Sequence, residues 1–151
     1  MSRAAEFFNS IVKPTADEFL RDVRNIRRGC LAAIVLFHMA DYWDIENNSN
    51  PTPRTLKTLH GDLIKNCPEF LFIRDVANAS KHHRLTINPN PPRSLSSSED
   101  ITRTFGLFEA PFGMGAFNEA IEVIITLDDG TSRPFSPIVR TVLSMWESKL
   151  Q

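Results

Sequence analysis

This 151-residue sequence is short of cysteine, of tyrosine, of net charge and of long apolar runs. Cys30 and Cys67 are too few for a metal cluster, and a single bridge in a chain of this length would be incidental, so reduced thiols in a cytoplasmic protein are expected. Seventeen Lys and Arg stand against eighteen Asp and Glu, for a formal charge of −1. No global field therefore steers the chain toward nucleic acid, DNA included, or an anionic membrane. The longest apolar run, Leu31–Phe37, is far short of the ~20 residues that cross a bilayer. The first thirteen residues carry no apolar signal-peptide core, which again points to an intracellular protein. No dinucleotide fingerprint or phosphate-binding loop occurs: Gly113-x-Gly115 lacks the companion residues of either, so no cofactor is expected. The stretch around it, Glu109–Glu119, reads as a connector whose Phe and Met residues fold onto the core, or as an apolar lid with glycine hinges.

What is present is ordinary globular composition, 42% hydrophobic and 23% charged, with eleven Phe against two Trp and one Tyr. Phe has no polar tip, so these rings read as core filler. A chain of this size buries roughly 70% of its unfolded surface and needs neither disulfide nor metal to fold.

Apolar residues Phe19, Val23, Ile26, Cys30, Ile34 and Phe37 recur at spacings of three and four. With a Thr15–Glu18 capping box after Pro14, they predict one long helix over about 15–45. Its other face alternates Arg21, Arg24 and Arg28 with Asp17 and Asp22, the pattern of a solvated, self-paired surface. Thr52-Pro53 opens a second helix over about 53–66, and Pro68 a third over about 68–85. The Pro/Ser/Asn-rich stretch 88–100 reads as a mobile loop. Alternating apolar residues predict strands near 101–108 and 120–127, and the Asp129-Gly130 turn predicts a third near 131–135. Ser136-Pro137 starts an amphipathic last helix over about 137–150. The expected architecture is one α+β domain, mostly α: about four helices with a small antiparallel β-meander before the last.

One polar constellation stands out. His38 and Asp41 continue the apolar stripe of the first helix, and Leu71, Asp75, Asn78, His82 and Leu85 share a face of the third. If the two helices pack side by side, His38, Asp41, Asp75, Asn78 and His82 form one inward cluster, since buried polar groups must pair. Such a cluster suits a register-fixing hydrogen-bond network, a divalent metal held by His38, Asp41, Asp75 and His82, or a reaction centre. Dimetal bundles use Glu-x-x-His pairs, which are missing here, so no metal is assigned. His83 suits a helix C-terminus, where a cation meets the negative end of the dipole.

The segment Arg74-Asp75-Val76-Ala77-Asn78-Ala79-Ser80-Lys81-His82-His83 resembles the Arg…His segment of HEPN-type helical domains. These small bundles are common in bacterial toxins and antiphage systems, and many are metal-independent endoribonucleases. The family spacing is four to six residues between Arg and His, whereas seven separate Arg74 from His82. Uncharacterised bacterial and phage-associated proteins with an Asp-x-x-Asn-x-x-Lys-His segment are similar as well. The resemblance implies a homodimer acting on RNA. His82 would be general acid or base, Arg74 and Lys81 would hold the phosphate, and Asp75 and Asn78 would orient His82 or the ribose. The alternative from the residues themselves is a non-catalytic interaction or small-ligand module in which the His/Asp/Asn network is structural.

Overall fold

The computed structural model describes residues 1–105 and 121–151. The chain is α+β and mostly helical: α1 (Arg3–Phe7), a π-helical turn (Phe8–Val12), α2 (Lys13–Arg21), α3 (Ile26–Asn47), α4 (Pro53–Asn66), α5 (Glu69–His82) and α6 (Phe135–Leu150). A three-stranded antiparallel sheet, order β1-β2-β3, precedes α6 and comprises β1 (Ile101–Arg103), β2 (Val123–Thr126) and β3 (Ser132–Pro134). Ile101 pairs with Ile125, and Ile125 with Arg133. Residues 106–108 of the expected first strand and the Glu109–Glu119 connector lie outside the described residues.

The long first helix expected over 15–45 is two helices. Asp22 leaves helical geometry at φ −141°, ψ 75°, and Asn25 caps α3 by accepting from the Arg28 N–H. Both residue types favour caps over helix interiors. The break also frees the Val23 carbonyl, which takes the Val123 N–H of β2 at 2.7 Å and so docks the sheet. Upstream, Thr15 is no cap, because helix already runs from Arg3, capped by Ser2. Pro14 has no N–H for the preceding turn, and just before it the helix widens into the π turn.

Helix α3 is the hub, packed against α1, α2, α4, α5 and α6. Its buried residues are Gly29, Ala32, Ala33, Leu36, Met39, Ala40 and Asp44. At Gly29 a Cβ would stand 3.2 Å from the Phe19 ring, which would have to give by a few tenths of an ångström to admit a side chain. Helix α6 buries Phe135, Val139, Val142 and Trp146, and burial of the Phe and Val side chains stabilises the fold by about 1.5–3 kcal/mol each. The Trp146 indole N–H donates to the Leu36 carbonyl at 3.0 Å, and its ring meets Phe70 edge-on and Trp43 at a tilt.

Helices α3 and α5 run antiparallel. Phe37 lies beside Phe70, with ring centroids 6.0 Å apart, near the start of α5. At the other end, Ser98 holds His83 just after α5, and the strand that follows within a few residues packs on α3 and pairs with β2, itself bonded to Val23. No helix among the described residues is long and apolar enough to cross a membrane.

Candidate functional site

The expected inward cluster does not form. His38 and Asp41 do pair, Nδ1 to Oδ2 at 3.2 Å, but on the surface, with 52% and 41% of their side chains exposed. His82 ends α5 in solvent, twelve residues and about 18 Å along the helix from the level of Phe70 and Phe37. Asn78 is half-buried, and Lys81 and His83 are exposed. Among the described residues no three His, Cys, Asp or Glu side chains gather to hold a metal, so the set His38, Asp41, Asp75 and His82 is not a coordination site. The physical reason is that α3 is apolar on nearly every side, so the stripe that periodicity selects is not its most buried one.

What α5 does bury is an ion pair. Arg74 and Asp75 retain 5% and 1% of their side-chain exposure, and Arg74 Nε donates to Asp75 Oδ1 at 2.8 Å. Asp75 Oδ2 accepts the backbone N–H of Ser94 at 2.6 Å and its hydroxyl at 3.0 Å. Arg74 Nη1 donates to the Pro91 carbonyl at 2.8 Å, while Nη2 is buried with no partner among the described residues. The two charges thus fasten the chain from Pro91 to Ser94 against the middle of α5.

The rest of that stretch is fastened in turn. Leu95 is fully buried, Leu85 N–H donates to Ser96 O at 2.8 Å, and Ser98 N–H donates to His83 O at 2.8 Å. Ser96 Oγ donates to Asp128 at 2.6 Å, and the Asp128 N–H donates to Ser94 O. The segment 88–100, expected to be mobile, is instead stitched to α5 and to the end of β2. His83 directs the stitching. It sits at φ 60°, ψ −60°, where the Arg84 N–H closes a γ-turn onto His82 O at 2.7 Å. Its Nδ1 lies 2.8 Å from Ser98 Oγ. Its role is therefore more than an end-of-helix cation.

Two polar residues escaped the sequence reading. Asp44, 3% exposed, accepts from Asn48 and from the Thr55 hydroxyl, the latter at 2.8 Å. It joins the end of α3 to the Thr52–Thr55 capping box that starts α4. Ala33, Leu36, Ala40 and Asp44 recur at helical spacing, so the signal was there. His60 lies between Phe37 and Phe70, with ring centroids 4.8 and 6.1 Å away, and its Nε2 is buried with no partner among the described residues. It stands four residues after Leu56 and four before Ile64, on the edge of α4 that packs inward.

Burial holds the His60 imidazole below its ordinary pKa and Arg74 adds repulsion, while Asp41 and Asp44 offset part of both. The unfolded chain thus binds a proton at His60 more readily than the folded one. That stability is present above the ordinary value near 6.5 and is lost as pH falls below it. His60→Phe keeps a ring there and removes the titration. Urea midpoints at pH 7.5 and 5.0 are expected to fall less between the two for the variant than for the parent; an equal fall in both would contradict the assignment. Burial also pushes the Cys67 thiol up, with Glu69 adding to the shift, so Cys67 is a weak nucleophile.

For the chemistry implied by the Arg…His resemblance, Arg74 and His82 stand two helical turns and about 12 Å apart along the axis. One is sealed and bonded, the other solvated. No family model, curated protein or solved structure matches the chain.

Proposed function

We propose that this chain is a non-catalytic interaction module whose buried Arg74–Asp75 network is structural. The observation that carries the reading is the sealing of Arg74, which keeps 5% of its side-chain exposure and commits Nε to Asp75 and Nη1 to the Pro91 carbonyl. A phosphate-binding arginine must present its fork to solvent and meet the anion with two parallel N–H groups. To do so here, Arg74 would have to leave Asp75 as a buried carboxylate without its cation.

The competing reading is a HEPN-like, RNA-directed endoribonuclease, and the exposure of His82 beside Lys81 is the observation in its favour. An imidazole at the surface can reach a ribose hydroxyl. With Arg74 sealed, the neighbouring cations in sequence that could meet the developing negative charge are Lys81 and Arg84.

A panel of single-stranded and hairpin RNAs, incubated with and without divalent ions, separates the two. The module reading expects every RNA to stay intact with wild-type protein and with His82→Ala alike. Cleavage by the wild type that His82→Ala abolishes would overturn it in favour of the ribonuclease.

A further inference from the structure

The long central helix shows solvent a seam that the other described residues cover only in part, Phe7 stacking on Tyr42 and Val35 leaning on the core. Leu31, Val35, His38, Tyr42 and Ile45 follow one another on α3 at spacings of four, three, four and three. That is the period with which one helix meets another along a coiled-coil seam. Leu31, Tyr42 and Ile45 keep 40%, 39% and 59% of their surface in water, and Val35 is half-buried. Exposed apolar side chains scattered singly are normal, but a row at seam spacing is an interaction face.

We infer that this face binds a second copy of the chain, with two α3 helices antiparallel about a two-fold axis at His38. Three features select that occupant. First, the seam is self-complementary. Leu31 and Ile45 each lie seven residues from His38, so a two-fold there sets Leu31 of one copy opposite Ile45 of the other, twice over, as an isologous interface requires.

Second, the two ends of the seam differ in shape as knob and hole. Beside Ile45, a largely apolar recess of about 460 Å³ is lined by Ser2, Arg3, Tyr42, Ile45 and Glu46. Phe7 stacks on Tyr42 with centroids 3.9 Å apart and so fixes one wall. At the other end Leu31 projects. The same operator carries the Leu31 of each copy to the recess of its neighbour.

Third, the charges agree with antiparallel docking and oppose parallel docking. Exposed Arg27 stands at the start of α3 and exposed Glu46 at its end, and a two-fold at His38 brings them to nearly the same level, while Asp41 stays with His38 near the axis. Antiparallel helices bring basic starts to acidic ends and oppose their dipoles, whereas parallel ones set like against like. The few large apolar groups on the seam place the dimer in the reversible class, with Kd on the order of micromolar or weaker. The interface is made by residues of α3 and uses neither His82 nor Lys81, so its existence does not depend on the outcome of the RNA assay.

The test is sedimentation equilibrium of the full chain over a wide concentration range. The 17.1 kDa monomer is expected to shift toward twice that mass with rising concentration. Leu31→Glu and Ile45→Lys, both at exposed positions, are each expected to weaken the dimer at least tenfold with an unchanged circular dichroism spectrum. An equimolar mixture of the two variants is expected to regain association. Across the two-fold of such a heterodimer, the introduced carboxylate meets the introduced ammonium at one end of the seam, and a native Leu31–Ile45 contact forms at the other. A wild type that stays monomeric up to about millimolar protein would overturn the inference. So would single variants that dimerise like wild type, or a mixture no stronger than its components.

Discussion

Asp75→Ala is expected to destabilise the protein by about 3–5 kcal/mol, the range for removing one partner of a buried ion pair. Several losses coincide. Arg74 keeps its charge at 5% exposure with no carboxylate beside it, and the Ser94 N–H and hydroxyl lose the oxygen they share. Against a total of about 5–15 kcal/mol for a domain, that is about a fifth of the stability or more. Urea denaturation at pH 7 measures it directly. Hydrogen exchange separates the clamp from a general loss: the amides of Ser94 and Leu85, bonded to Asp75 and Ser96, should lose protection before those of α3. A loss under about 1 kcal/mol would mean that the pair contributes no more than a surface salt bridge.

Trp146→Ala is the second large effect, again about 3–5 kcal/mol, through a cavity at the meeting of α3, α5 and α6. The ring is fully buried, lies 6.2 Å from Phe70 and 6.1 Å from Trp43, and ties its N–H to a carbonyl 110 residues earlier. The surrounding helices are also packed on one another, so they are expected to close only partly into the space. Thermal unfolding followed at 222 nm measures the loss. Fluorescence gives a second check, because Trp43 is the sole indole left and its environment includes the missing ring. A melting temperature within a few degrees of wild type would show that the junction repacks.

Local chemistry was readable in the sequence, and choices made at a distance were not. Thr52-Pro53 starts α4 where expected, with Thr52 accepting from the Thr55 N–H, because the caps of that helix lie in adjacent residues. Asp129-Gly130 turns the chain between β2 and β3, with Gly130 at φ 86° and Asp129 accepting from Thr131. The fold class followed from such signals together with periodicity. Periodicity failed on α3, whose neighbours on several sides make apolar residues useful all round. Small residues, Gly29, Ala32, Ala33 and Ala40, make up much of what it buries. The break at Asp22–Asn25 was written in cap-forming residues, yet an apolar stripe ran across it. On α5, spacing brought Asp75 inward correctly but placed His82 with it; His82 is the last residue of its helix and stands exposed to water.

Loop composition misled for a related reason. Proline, serine and asparagine say that a segment cannot build its own helix or strand, and nothing about what waits for it elsewhere. The partners of 88–100 include Arg74, Asp75, His83, Leu85 and Asp128, each at least eleven residues along the chain from the group it bonds.

The same fastening decides how the serine run can be modified. Ser94 and Ser96 each present a hydroxyl to a carboxylate, Asp75 in one case and Asp128 in the other. A phosphoryl group on either oxygen would press a dianion against an anion at hydrogen-bonding distance. At Ser94 a phosphate could be added only after the segment had peeled away from Asp75 on α5, and it would then keep the segment from returning; at Ser96 it would break the exposed tie to Asp128 instead.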